Sequence, residues 1–108
     1  MNKKDKLILN DLSKKLRAQL KEEIQDVILF GSRSDKSFDE LSDFDVLIIL
    51  KNQYNWKKKR AIRDICYEVG LKHDIIIDSK IISINELNET PKGAHPIYKN
   101  AIDKGIHA

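Results

Sequence analysis

A chain of 108 residues with 41% hydrophobic and 34% charged residues, four Gly and two Pro is expected to fold as one domain over residues 1–108, which excludes disordered, fibrous and collagen-like classes. Twenty basic against 17 acidic side chains leave a net charge of +3, and the lone Cys66 excludes an internal disulfide and a cysteine zinc cluster. No stretch approaches the roughly 20 apolar residues of a membrane span, and no signal peptide is legible, so a cytoplasmic protein without a membrane partner is expected.

From Lys4 to about Glu23 the apolar residues Ile8, Leu12, Leu16, Leu20 and Ile24 recur every four positions, the stripe of a helix laid on a core. Val27-Ile28-Leu29-Phe30 is a short continuous apolar run ending at Gly31, which predicts a strand covered on both faces. Residues Ser32 to Ser42 are mostly polar and predict a loop or short helix. Asp43 to Leu50 predicts a second strand, central in the sheet because Val46 to Leu50 are apolar on both alternating sides.

Asn55 is suited to cap a helix running to about Val69, with Gly70 as its stop. The block Lys57-Lys58-Lys59-Arg60 within it reads as a solvated helix face; without interleaved aromatics, direct nucleic-acid contact is not expected. His73 to Asp78, carrying Ile75, Ile76 and Ile77, predicts the third strand, with Ser79 to Asn85 extending it or adding an edge strand. Pro96 to Lys104 predicts a closing helix stopped by Gly105.

Three features then converge. Asp43 and Asp45, two apart on a strand, present carboxylates in one direction. Two carboxylates that close repel unless a cation lies between them, and an all-oxygen donor set selects Mg²⁺ or Mn²⁺. Gly31 permits close backbone approach, Ser32 offers a hydroxyl and Arg33 a charge-assisted contact, a set suited to a triphosphate. For Gly31 and Asp43 to meet, their strands must run antiparallel. For Asp74 to reach the same edge, the third strand must run parallel to the second, with the helix Asn55 to Val69 as crossover, so the sheet is mixed.

Gly31-Ser32, ten intervening residues and Asp43-x-Asp45, set between Val27–Phe30 and Val46–Leu50, resemble the signature of the DNA polymerase β-type nucleotidyltransferase superfamily. Leu29-Phe30-Gly31-Ser32-Arg33 with Ser42-Asp43-Phe44-Asp45 is most similar to its minimal members, from the opening helix to about Asp78. The resemblance implies an α/β (α+β) nucleotidyltransferase fold: an αβαβαβ core whose short mixed sheet is flanked by helices. It implies ATP as substrate and Mg²⁺, two ions, held by Asp43, Asp45 and Asp74, with Gly31, Ser32 and Arg33 on the nucleotide. Asp78, facing the same way as Asp74, competes with it for the third place. It further implies an antitoxin that transfers AMP to a hydroxyl, a tyrosine, of an all-helical HEPN ribonuclease toxin, in a homo- or hetero-oligomer.

Other readings stand beside this one. A binding protein that neutralises its partner by occlusion, and a transferase acting on small molecules of the aminoglycoside type, share the same motif. His73 is expected to be structural, Cys66 a small core residue, and Tyr54 and Trp56 packing residues; His95 and His107 lack the spacing of a metal site. Asp35 and Asp39 are expected to solubilise their loop.

Overall fold

A computed structural model describes residues 3–31 and 43–108. The opening stripe forms α1 (Lys3–Leu20), and a single 3₁₀ turn, Lys21–Glu23, hands the chain to β1 (Ile24–Phe30). Ile24 thus begins the strand instead of closing the helix. β2 (Phe44–Leu50) pairs antiparallel with β1, Phe30 opposite Asp45 and Ile28 opposite Leu47. α2 (Trp56–His73) crosses over to β3 (Ile77–Ser83), which runs parallel to β2. The mixed sheet and its crossover are therefore as the motif spacing required.

The remainder is α3 (Ile84–Glu89), a 3₁₀ turn over Pro91–Ala94, α4 (Pro96–Lys104) and the two-residue strand β4 (Ile106–His107), giving the sheet order β3-β2-β1-β4. α3 lies where an edge strand was an alternative. Ser83 starts it with a capping box: its hydroxyl accepts from the Glu86 amide while the Glu86 carboxylate accepts from the Ser83 amide.

Alternation along β2 divides the interior. Phe44, Val46, Ile48 and Leu50 join Ile8, Leu12 and Leu16 of α1 and Ile62, Ile65 and Val69 of α2. Leu47 and Ile49 face the other way, with Ile28, Ile82 and Ala101 of α4. Every residue from Val46 to Leu50 is buried, as expected of a central strand. Asp11 ties α1 to α2: its carboxylate accepts from His73 at 2.9 Å and lies 3.3 Å from the Lys72 ammonium. The His73 hydrogen bond, foremost, holds the Asp11 carboxyl below the ordinary carboxylate range.

The third strand and its helix are where expectation and structure part. Asn55 does cap α2, accepting from the Lys58 amide at 3.0 Å, but Gly70 does not stop the helix. Gly70 is buried inside it, where a Cβ would stand 2.6 Å from the Ile75 carbonyl oxygen, so glycine there serves packing. The stop is Asp74, in the left-handed region at φ 54°, its amide donating back to Gly70 and Leu71. The strand consequently begins at Ile77, and Ile76, which looks like strand core in sequence, is 70% exposed.

Candidate active site

Parallel register decides which carboxylates are neighbours. Asp45 on β2 stands opposite Asp78 on β3, so the two share a face of the sheet. Asp43, two residues ahead of Asp45, precedes the strand on that same side and is exposed. Asp74 does not take the strand-start position expected of it, because it is spent ending α2, three residues before β3 begins. Asp78, the competitor, stands on β3 opposite Asp45 instead.

Electrostatics agree with the register. Burial raises the Asp45 carboxyl above the ordinary carboxylate range, and the charges of Asp78 and then Asp43 push it the same way. Asp74 is not among the charges acting on it. Lys80, two residues beyond Asp78 on the same face, pulls Asp45 back down. In a strand that begins at Ile77, alternation alone places Lys80 on the face of Asp78, a signal that the sequence carries.

Gly31 meets this carboxylate directly. It lies at φ +78°, a conformation that favours glycine, and a Cβ on it would fall 2.5 Å from Asp45 Oδ2, so a side chain there would push the carboxylate aside. The glycine turn and the carboxylates are thus one site, with β1 and β2 antiparallel as they must be. Ser32 and Arg33, expected to hold the nucleotide, lie outside the described residues, as do Asp35 and Asp39. Among the described residues no three Asp, Glu, His or Cys side chains form a ready cation cage; Asp43, Asp45 and Asp78 stand as like-charged neighbours.

The remaining candidates have structural employment. Tyr54 donates to the Ile81 carbonyl at 3.2 Å, whereas Trp56 is 66% exposed beneath the Lys57 ammonium. Cys66 is buried, and that burial pushes its thiol up to about 11, away from nucleophilic use. His95 accepts from the Ile97 amide and caps α4. In the basic block, Lys58 pairs with Glu23. Among the described residues no helix is long and apolar enough to cross a membrane.

Carboxylates at the end of a mixed sheet, one of them packed against a left-handed glycine turn, define with this fold the class of the nucleotidyltransferases. A model of the family Polymerase beta, Nucleotidyltransferase matches residues 10–103, and the chain belongs to that family. A provisionally named protein adenylyltransferase of Methanocaldococcus jannaschii is 40% identical over 70 residues, 65% of this chain and 71% of that protein. A second of the same name and organism is 27% identical over 100 residues, 93% of this chain and 89% of that protein. The fold is also that of a chain in a crystal structure of the toxin–antitoxin MntA-HpeT, in a form with two aspartate-to-glutamate substitutions. That chain matches at TM-score 0.58 and 15% identity, over 99% of this chain and 72% of its own.

Proposed function

We propose that this nucleotidyltransferase transfers AMP from ATP to a hydroxyl of a protein partner, with Asp43, Asp45 and Asp78 as its acidic site residues. The observation that carries the reading is the register that sets Asp78 beside Asp45, on the face where Asp45 also packs against Gly31. The relatives named as protein adenylyltransferases support a protein acceptor. The toxin–antitoxin neighbour supports a partner that is a toxin; we place it among helical HEPN ribonucleases, with a tyrosine as acceptor.

The donor set fits Mg²⁺: all oxygen, like-charged, and with Asp45 held above its ordinary range by burial and by its neighbours, a cost that a cation would relieve. Asp43 and Asp45 would hold the ions, two in number, with Asp78 as the third ligand; when bound, the metal neutralises the phosphate charge that grows during transfer. Gly31 lets the backbone approach the phosphates closely, and Ser32 and Arg33 of the same motif are assigned to bind them. On β3, Asp78 lies on the far side of Asp45 from Gly31, and there receives the proton of the acceptor hydroxyl. The acceptor oxygen forms a bond to the α-phosphorus, the bond to the bridging oxygen breaks, and pyrophosphate leaves.

The test uses ATP labelled at either the α or the γ phosphorus, Mg²⁺ and lysate of the source cell. The expected result is one labelled protein band from α-labelled ATP, none from γ-labelled ATP, and none when Asp43→Asn and Asp45→Asn are combined. Label from the γ position, or equal labelling by the double variant, would overturn the proposal.

A further inference from the structure

β3 ends the sheet order, and among the described residues no strand pairs with its outer edge. The backbone along that edge alternates. The Ile76 carbonyl accepts from the Phe44 amide of β2 at 2.9 Å, whereas the Ile81 carbonyl accepts from the Tyr54 hydroxyl at 3.2 Å and the Lys92 ammonium at 3.1 Å, away from the sheet. Even-numbered residues of β3 therefore turn their backbone groups to β2 and odd-numbered ones outward. Tyr54 and Lys92 cover the Ile81 end of the edge. The outward amides and carbonyls of Ile77 and Ser79 have no hydrogen-bond partner among the described residues, and an edge left so is a template for another chain.

The open half of the edge borders an apolar cavity of about 390 Å³ between α2 and β3. Five large apolar side chains stand exposed among the described residues, and three of them, Tyr67, Leu71 and Ile76, line this one cavity. Such clustering on a surface marks an interaction site. Arg63, also in the lining, is exposed and has no ion pair among the described residues, a charge that suits a carboxylate on whatever docks there. Asp78 lines the cavity too, although its side chain lies on the other face of β3 from Ile77 and Ser79. The cavity thus wraps the edge of the strand and reaches the carboxylate site, on the side of Asp78 away from Asp45.

We propose that an extended segment of the acceptor protein adds to β3 as an antiparallel strand, pairing with Ile77 and Ser79 and laying its apolar side chains in this cavity, so that its hydroxyl residue stands opposite Asp78. The proposal rests on the reading that the chain modifies a protein hydroxyl, and it names how that hydroxyl is presented. Asp78 turns its own backbone to β2, so its place opposite an antiparallel newcomer is a non-hydrogen-bonded one, with Cα atoms only about 4.5 Å apart and side chains in contact. The residues on either side of the hydroxyl residue point to the α2 face, where Tyr67, Leu71 and Ile76 receive them. The acceptor segment accordingly has a hydroxyl residue between two apolar ones.

Transfer from α-labelled ATP in Mg²⁺ to two end-blocked pentapeptides tests the docking: Thr-Ile-Tyr-Ile-Thr, and the same sequence with both isoleucine amides N-methylated. N-methylation removes the two donors that would pair with the edge and leaves every side chain in place. The parent peptide is expected to be labelled at least about tenfold faster, the scale of two hydrogen bonds. Leu71→Glu is expected to slow labelling of the parent peptide about tenfold, with ATP affinity by calorimetry and the melting curve unaltered, and Leu7→Ala, exposed but outside the cavity, to change neither. Equal labelling of the two peptides would overturn strand addition alone. So would labelling of neither peptide by a chain that labels a protein in lysate, because a folded surface would then be what docks. A wild-type dimer in light scattering that Ser79→Pro dissolves would assign the edge to a second copy of the chain and likewise overturn it. A wild-type chain that labels neither peptide nor any protein in lysate would overturn the underlying reading.

Discussion

The two sides of β2 do different work with the same backbone. Phe44, Val46, Ile48 and Leu50 are closed under α1 and α2, whereas the opposite side begins with Asp43 and Asp45 and only then turns apolar at Leu47 and Ile49. One side is given to stability along its whole length, the other only over its second half. A period-two strand thereby holds two charged groups within a turn of the core without burying either fully.

The sharpest way to break this comparison is to cut into the packed side. Ile48→Ala should cost about 2–5 kcal/mol and lower the melting temperature by roughly 10–30 °C, while ATP affinity measured below the new midpoint is kept. On the other side the signs reverse. Combining Asp43→Asn and Asp45→Asn should lower AMP transfer by at least about a hundredfold, yet leave the melting temperature unchanged or raised. Burial raises the Asp45 carboxyl in the fold, so its ionised form destabilises the folded state above the ordinary carboxylate range, and the neutral amide removes that cost. A double variant that melts as early as Ile48→Ala would erase the distinction.

Gly31→Ala lies between these two. The left-handed φ costs a side chain roughly 1–2 kcal/mol, and the new Cβ displaces the Asp45 carboxylate, so transfer should fall about tenfold or more with a modest loss in thermal stability. A smaller effect belongs to the far end of the sheet. His107 faces Asp26 through Nδ1 at 2.6 Å and the Ile102 carbonyl through Nε2 at 2.8 Å; with both nitrogens on acceptors, the imidazolium is favoured. The Asp26 hydrogen bond, foremost, raises the His107 pKa above 6.5. The resulting stability is complete below about pH 6.5 and fades as pH rises through the higher folded value, so melting curves should lose stability there and His107→Gln should flatten that slope. The group is well exposed, and the effect should be small.

How much of this was legible follows from what each signal depends on. The α1 stripe, the β2 run and the Gly31, Asp43, Asp45 spacing rest on local periodicity, and the antiparallel and parallel pairings followed from them. The start of β3 depended on a tertiary fact. Gly70 reads as a helix stop unless the nearness of the Ile75 carbonyl is known, and Ile75 to Ile77 reads as strand core unless the exposure of Ile76 is known. That one boundary sets Asp78, and not Asp74, opposite Asp45 in register, and it hid Lys80. α3 had a local signal in Ser83 and Glu86, the capping pair, which the β-branched Ile81 and Ile82 beside it obscured.

The most direct measurement is a Mn²⁺ titration, in the presence of ATP, of Asp78→Asn and Asp74→Asn side by side. Neighbouring carboxylates on one sheet face predict that Asp78→Asn binds the ion about tenfold more weakly or worse and that Asp74→Asn binds it as the wild type does. Weakened binding in Asp74→Asn with wild-type binding in Asp78→Asn would contradict the site.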